Sequence, residues 1–351
     1  MSKIRRVKVG DIFIGGGEKI AVQSMTTAYT ADIQKTVKQI KALSEKGCDI
    51  VRVAVPDEAS AKAIFDIKNQ IDIPLVADIH FDYRLALTAM EMGVDKIRIN
   101  PGNIGGEDRA KLVAEEAKRR GVPIRIGVNG GSLDKKLLEK YGSATPEAMV
   151  ESALEHIKIL EKYDFYDTVV SIKSSDVKKT IAAYRLARAT FDYPLHLGVT
   201  EAGTYDAGII KSAIGIGSLL ADGIGETIRV SLTDDPIHEV DAGKQILRAL
   251  GLLKGRIEVV SCPTCARCRI NLIPIAKELT KRLENVEGDL KVAVMGCAVN
   301  GPGEARDADI GVAGADGEVL LFKKGEIVGK IPEDKVIEVL MQEIERMKGT
   351  N

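Results

Sequence analysis

The composition of this chain excludes several classes of protein. It has 351 residues, 45% of them hydrophobic, and a formal net charge of −1 at pH 7. The near-neutral charge, the lack of Trp and the 4% aromatic content argue against nucleic-acid binding by bulk electrostatics or base stacking. No signal peptide is recognisable, and no stretch reaches the roughly 18 apolar residues of a membrane span. We expect a soluble cytoplasmic protein of two domains, whose clustered cysteines serve metal binding or catalysis.

Short apolar runs alternate with amphipathic helical segments in the N-terminal part of the chain, which is typical of parallel β/α units. One helix is predicted at 32–46, and Gly47, Gly93, Gly121 and Gly223 stand where left-handed C-terminal caps are expected. The pattern predicts eight strands, at 20–25, 50–55, 74–79, 96–101, 123–129, 168–174, 195–200 and 227–233. 

Eight strands, each followed by a helix, fit a (β/α)8 barrel of the TIM type, which we assign to 1–252. A doubly wound open sheet is the alternative, but no Gly-x-Gly-x-x-Gly motif opens the first helix. The segment 7–15 precedes the first strand, and we expect it to form a hairpin that plugs the barrel floor. After a linker at 252–255, the segment 256–351 predicts a smaller α/β domain. Its expected elements are strands at 257–260 and 291–295, two further short strands, and helices at 269–283 and 333–347.

Charged side chains interrupt strands that should be apolar if they are buried on both faces. Because strand side chains alternate between faces, we expect five cations to converge on one interior, a costly arrangement without anions. The structural interpretation is an ionic layer inside the barrel, in which the cations pair with Asp78, Glu201 and similar residues. The functional one is a pocket for a multiply charged anion such as a diphosphate, at the C-terminal mouth of the barrel. The five cations are Arg52, Arg98, Arg125, Lys173 and Arg229, and the polar residues that share their faces are Asn100, Asn129 and Ser231.

Two acids and a histidine stand at strand ends. Asp78 and His80 lie in Ala-Asp-Ile-His-Phe, and Glu201 lies in Gly-Val-Thr-Glu-Ala-Gly. Each is a candidate general acid or orienting group. A structural role is equally expected for a single histidine of this kind.

Four of the five cysteines lie near the C-terminal end, at Cys262, Cys265, Cys268 and Cys297. Clustered thiols usually hold a metal ion or an iron–sulfur cluster. Zinc would take four thiolates, although Cys-x2-Cys-x2-Cys is cramped for it. A [4Fe–4S] cluster held by three cysteines would leave one iron for a weaker ligand, and Glu304 is a candidate for that position.

Seven motifs in this order resemble those of the bacterial 4-hydroxy-3-methylbut-2-enyl diphosphate synthase family. They span most of the chain, and the last two are highly specific. The motifs lie at 22–27 (VQSMTT), 77–81 (ADIHF), 97–102 (IRINPG), 127–132 (GVNGGS), 197–203 (LGVTEAG), 261–265 (SCPTC) and 296–304 (GCAVNGPGE).

The resemblance implies a barrel followed by a cluster domain in which Cys262, Cys265, Cys297 and Glu304 hold a [4Fe–4S] cluster. Cys268 is not a ligand in the family and is a departure from its pattern. The implied substrate is 2-C-methyl-D-erythritol 2,4-cyclodiphosphate, bound by the five cations together with Asn100, Asn129 and Ser231. We place Asp78 and His80 among the substrate-binding residues, and Glu201 and Glu304 among the catalytic ones.

The resemblance also implies ferredoxin or flavodoxin as the electron donor, and a homodimer in which one subunit's cluster domain closes over its partner's barrel. Two other hypotheses remain open from the residues alone. One is a phosphate-binding barrel like those of pterin synthases, stabilised by a structural zinc and without redox chemistry. The other is a non-enzymatic iron–sulfur protein, but an electron carrier needs no pocket of five cations.

Overall fold

The chain folds into two compact units, whose boundary lies between Leu252 and Leu253. The structure is a computed structural model that describes residues 4–100, 104–284, 286–298 and 305–349, apart from the side chain of residue 132. Within these ranges, no helix combines the length and the apolar character needed to cross a bilayer.

The first unit is a barrel of eight parallel strands behind an N-terminal hairpin. The strands are hydrogen-bonded in the order β8-β7-β6-β5-β4-β3-β10-β9. A bridge between Val170 and Leu195 joins the two ends of this sheet and closes the barrel. The hairpin strands are β1 (Arg6–Val9) and β2 (Ile12–Gly15). The barrel strands are β3 (Ala21–Met25), β4 (Ile50–Ala54), β5 (Leu75–Asp78), β6 (Lys96–Ile99), β7 (Ile124–Asn129), β8 (Thr168–Lys173), β9 (His196–Leu197) and β10 (Thr227–Ile228).

Helices follow every barrel strand and cover its outer face. They are α1 (Ile33–Glu45), α2 (Glu58–Lys68), α3 (Tyr83–Glu91), α4 (Glu107–Arg120), α5 (Lys135–Tyr141), α6 (Pro146–Glu161), α7 (Val177–Thr190), α8 (Tyr205–Ala221) and α9 (Pro236–Ala249). The four glycines expected at helix ends all have positive φ, between 66° at Gly121 and 87° at Gly93. Because the Val170–Leu195 bridge closes the sheet, the (β/α)8 barrel is confirmed and the open-sheet alternative is excluded.

Alternation along the strands separates an apolar outer face from a charged interior. On β6, Ile97 and Ile99 are fully buried and alternate with Lys96 and Arg98. Aliphatic residues occupy the helix-facing positions because the helices bury that face. Near the floor, Val7, Val9 and Ile14 of the hairpin pack against apolar residues at the beginnings of the strands. The hairpin thus plugs the floor as predicted.

The second unit is a five-stranded mixed sheet with two helices in its described part. The strands run in the order β11-β12-β13-β14-β15, with β11 to β13 parallel and the last two pairings antiparallel. Their bounds are β11 (Glu258–Ser261), β12 (Lys291–Met295), β13 (Ile310–Gly314), β14 (Val319–Lys323) and β15 (Glu326–Ile331), and the helices are α10 (Leu272–Leu283) and α11 (Val336–Lys348).

Three details of the predicted elements were wrong. Strands β9 and β10 are shorter than predicted, with two residues each. Helix α10 begins at Leu272, three residues later than predicted, and the Arg269 amide before it donates to the Gly296 carbonyl. Three strands rather than two follow β12. The last of them, β15, is an edge strand whose side chains are mostly exposed.

Candidate functional site

Five cations, on or directly after five of the eight barrel strands, share the interior of the barrel. Burial lowers the pKa of the Lys173 amine well below its ordinary value, and the charges of Arg229, Arg52, Arg125 and Arg98 lower it further. Arg98, Arg125 and Lys173 are each less than a tenth exposed. The structure therefore brings together all five cations that the sequence singles out.

Asp78, at the end of β5, is the carboxylate that contacts two of the five cations. Its oxygens lie 3.2 Å from Arg98 Nη1, 3.9 Å from Arg52 Nε and 3.4 Å from His80 Nε2. His80 Nδ1 lies 3.3 Å from Arg98 Nη1, so a neutral ring protonated on Nε2 satisfies both contacts. Burial alone would raise the pKa of Asp78, but Arg52, His80 and Arg98 outweigh it and hold that pKa well below its usual range.

Glu239 on α9 holds a further cation, Arg229. Its buried carboxylate accepts hydrogen bonds from Arg229 Nε and Nη2, both at 3.2 Å. It also accepts from Ser24 Oγ at 2.9 Å and from the Leu232 amide at 3.1 Å. A carboxylate satisfied by so many donors fixes the guanidinium plane of Arg229.

Arg125 and Lys173 have no carboxylate partner among the described residues. Arg125 Nη1 donates to Gln23 Oε1 at 3.3 Å, and its Nε has no hydrogen-bond partner there. Lys96, a sixth cation that the sequence analysis did not single out, is fully buried on the same face of β6 as Arg98, and its Nζ is also without a described partner. Burial and then the charges of Arg125 and Arg52 lower the pKa of Lys96.

Two glycines on the inner face make room for these cations. A Cβ on Gly127 would lie 2.4 Å from Arg98 Nε, and one on Gly198 would lie 2.8 Å from Lys173 Nζ. Any larger residue at either position would push a cation out of the interior. Both glycines occur in motifs already noted, and they leave space for the charged groups rather than for a turn.

The interior carries more cations than carboxylates. Among the described residues, ion pairs to the five cations come from Asp78 and Glu239 alone. A purely structural ionic layer would pair its charges, because unpaired buried charge is costly. The imbalance favours a site for an anion that brings several negative charges, and guanidinium groups are suited to phosphate oxygens.

The remaining barrel candidates lie at the C-terminal mouth. Asn100, Asn129 and Ser231 are half-buried at strand ends. Glu201 is exposed in the loop after β9 and has a φ of 51°, a conformation unusual for a residue with a side chain. That loop is tied to its neighbours on both sides, because the Thr200 amide donates to Ser174 and the Thr233 amide donates to Gly203. Glu201 is thus held between the loops that follow Lys173 and Ser231.

The cysteines of the second unit gather at one edge of its sheet. Cys262 follows β11 directly and Cys297 lies two residues after β12, its parallel neighbour. The Gly296 amide donates to Cys262 Sγ at 3.1 Å. Cys265 is exposed, and hydrogen bonds from Arg267 lower its pKa. N–H donors to sulfur and a lowered pKa both favour the thiolate form that metals and iron–sulfur clusters require.

Cys268 lies beside the same loop but makes a hydrogen bond of its own. Its thiol donates to the Ile270 carbonyl at 3.2 Å, and it packs against the apolar core of the unit. A Cβ on Gly296 would lie 2.8 Å from Cys268 Sγ, so this thiol fills the space beside the Cys297 loop. Among the described residues, no three cysteine, histidine or acidic side chains are grouped closely enough to hold a metal ion. Glu304 lies outside the described residues.

Four interior residues were missed at the sequence level: Gln23, Met25, Lys96 and Glu239. Gln23 and Met25 share one face of β3, so a polar residue two positions before a methionine was the available signal. Glu239 lies on a helix at a position where an acid ordinarily faces solvent, and nothing local distinguishes it.

The barrel resembles solved structures of very different sequence. A dihydropteroate synthase from Stenotrophomonas maltophilia superposes with a TM-score of 0.51 at 14% identity, covering 70% of this chain and 98% of that one. The enzyme from Yersinia pestis gives 0.50 at 12% identity, covering 71% and 100%. At such identities the likeness concerns the fold alone.

Closer relatives cover both units. Residues 4–244 match the GcpE TIM-barrel domain, and residues 258–346 match the GcpE protein C-terminal domain. Relatives named 4-hydroxy-3-methylbut-2-en-1-yl diphosphate synthase (flavodoxin) include those of Caldanaerobacter subterraneus, at 62% identity over 98% of this chain and 97% of the relative, and of Ruminiclostridium cellulolyticum, at 61% over 99% and 98%. The chain therefore belongs to the GcpE family.

Proposed function

We propose that this chain is an iron–sulfur oxidoreductase that converts 2-C-methyl-D-erythritol 2,4-cyclodiphosphate into 4-hydroxy-3-methylbut-2-enyl diphosphate, a step of the non-mevalonate route to isoprenoids. In this conversion two electrons and two protons enter, the ring opens, and one oxygen leaves as water. The observation that carries the proposal is the barrel interior, in which five cations meet two carboxylates. The names of relatives at 62% and 61% identity over nearly the whole chain support the same reaction.

The substrate diphosphate would lie on the cations of the barrel. Arg52 and Arg98 are oriented by Asp78, and Arg229 by Glu239, so their remaining N–H groups are available to phosphate oxygens. Arg125 and Lys173 lack carboxylate partners among the described residues. The anion would therefore give these two cations the largest electrostatic stabilisation. Asn100, Asn129 and Ser231 would complete the site with neutral hydrogen bonds, and His80 would close its rim.

Cys262, Cys265 and Cys297 would hold a [4Fe–4S] cluster, with Glu304, outside the described residues, as a fourth ligand. The hydrogen bond from Gly296 to Cys262 and the lowered pKa of Cys265 fit thiolate ligation. When bound, the cluster supplies the electrons singly, and the relatives' names point to flavodoxin rather than ferredoxin as their source. The orientation of Cys268 toward the Ile270 carbonyl counts against a zinc site of four thiolates.

The most direct test is anaerobic turnover of iron-reconstituted protein with the cyclic diphosphate, with the product identified by mass. Wild type should form the linear hydroxybutenyl diphosphate. Cys297→Ser should lose product together with bound iron and sulfide, because it removes a ligand. Cys268→Ser is the matched control and should keep its iron, sulfide and fold. If Cys268→Ser unfolds and the wild type holds zinc without iron, the zinc-stabilised barrel is the better account.

Substrate binding should take up protons through Lys173. Burial and its neighbours lower the pKa of this amine in the free protein, and an adjacent diphosphate raises that pKa again. Calorimetry at about pH 8 in buffers of different ionisation enthalpy should show net proton uptake on binding. Lys173→Met should remove most of this uptake, while Lys140→Met, at an exposed ion pair, should preserve it. A wild-type enthalpy independent of the buffer would contradict the prediction.

Glu201 would transfer a proton or hold the substrate hydroxyl at the mouth. Glu201→Gln keeps a hydrogen-bonding side chain of the same size but cannot exchange a proton. We expect kcat to fall by about 10²-fold or more with the dissociation constant of the cyclic diphosphate nearly unchanged. Asp206→Asn, at an exposed acid in the first turn of α8, should leave both quantities unchanged. A fully active Glu201→Gln protein removes this residue from the mechanism.

We also propose that the chain works as a homodimer, with a second copy packed against α8. This helix exposes Ile210 and Ile214, 61% and 52% accessible and one turn apart, on the outer face of the barrel. Sedimentation should show a dimer for wild type and a monomer for the double variant Ile210→Asp/Ile214→Asp. Leu112→Asp changes a lone exposed leucine on α4 and should remain dimeric. A fully active wild-type monomer would exclude this arrangement.

A further inference from the structure

The thioether of Met25 lies between two of the interior arginines. Arg52 points one edge of its guanidinium at this sulfur, with Nε at 3.0 Å and Nη2 at 2.9 Å. Arg229 approaches the same atom with Nη1 at 3.7 Å. Met25 is on β3, which lies between β4 and β10 in the barrel, so one side chain reaches the cations on both sides.

Two guanidinium groups directed at one atom repel each other, and hydrogen bonds accepted by that atom offset part of the repulsion. Sulfur is a weak but polarisable acceptor, and it carries no net charge. A carboxylate in its place would hold the arginines more tightly, but it would cancel one of the positive charges on which an anion depends. Asp78 and Glu239 already occupy the carboxylate positions beside Arg52 and Arg229. A neutral acceptor between them therefore orients both cations and preserves the charge of the pocket.

One edge of each guanidinium is taken up by a protein acceptor. The Nε and Nη2 of Arg52 are directed at Met25, and the Nε and Nη2 of Arg229 at Glu239. Because guanidinium is planar and rigid, fixing one edge fixes the direction of the others. The separation of Arg52 and Arg229 is then set by the sulfur rather than by mutual repulsion.

We propose that Met25 is a positioning residue for anion binding, whose sulfur holds Arg52 and Arg229 at the spacing that the diphosphate requires. This inference rests on the proposed function. It assigns a role in the pocket to the methionine of the VQSMTT motif, which packing alone would leave interchangeable with leucine.

Three substitutions separate this role from simple packing. Met25→Leu keeps the size and removes the acceptor. Met25→Gln keeps a neutral acceptor, and Met25→Glu adds a charged one. The measurement is the dissociation constant of the cyclic diphosphate for the full-length, cluster-loaded protein, by anaerobic calorimetry. We expect Gln to remain within about threefold of wild type, Leu to bind roughly tenfold more weakly, and Glu more weakly still.

A packing role predicts the opposite order, with Leu equal to wild type and Gln weakened. That order would overturn the inference and leave the proposed function intact. Failure of wild type itself to bind the cyclic diphosphate would instead refute the proposed function. Met90→Leu, at a buried methionine on α3, is the control for loss of a thioether elsewhere and should bind normally. The Gln and Leu variants are each compared with wild type. If one of them fails to fold, the result for the other still distinguishes the two roles.

Discussion

Repulsion among like charges inside the barrel is the constraint on which the rest of this structure depends. Two unit charges about 4 Å apart interact by several kcal/mol even at an effective dielectric constant of about 20. The chain meets this cost in several ways. Asp78 and Glu239 each hold one or two cations, Met25 and Gln23 supply neutral acceptors, and buried amines such as Lys173 have lowered pKa values. These devices reduce the repulsion without removing it, and a polyanionic substrate would remove the remainder.

The architecture of the barrel was predictable because side chains alternate along each strand. This alternation places charged residues in the interior and apolar residues against the helices. Every barrel strand begins within one residue of its predicted position, since the outward residues are continuous aliphatics that need the helices to cover them. The helix-end glycines and the floor hairpin followed from equally local signals. Prediction was weaker in the second unit, where three strands rather than two follow β12 and the last, β15, is an edge strand with mostly exposed side chains.

The candidate site was predictable in its cations and much less so in what orients them. An arginine within an apolar strand can be recognised from the sequence. Glu239 looks like an ordinary acid on a helix, and its contact with Arg229 is evident only in the folded structure. Met25 looks like a core residue, and its proximity to two guanidinium groups depends on the order of β4, β3 and β10 around the barrel. Gly127 and Gly198 are similar, since the need for a missing Cβ is visible only once Arg98 and Lys173 are in place.

We propose that the excess positive charge of the barrel interior holds the substrate diphosphate. A crystal structure of the protein with the cyclic diphosphate bound would show the contacts. We expect phosphate oxygens within hydrogen-bonding distance of Arg52, Arg98, Arg125, Arg229 and Lys173, with the existing contacts of Asp78 and Glu239 retained. A diphosphate bound elsewhere, with these cations paired only to protein groups or water, would leave the interior with a structural role and refute the proposal.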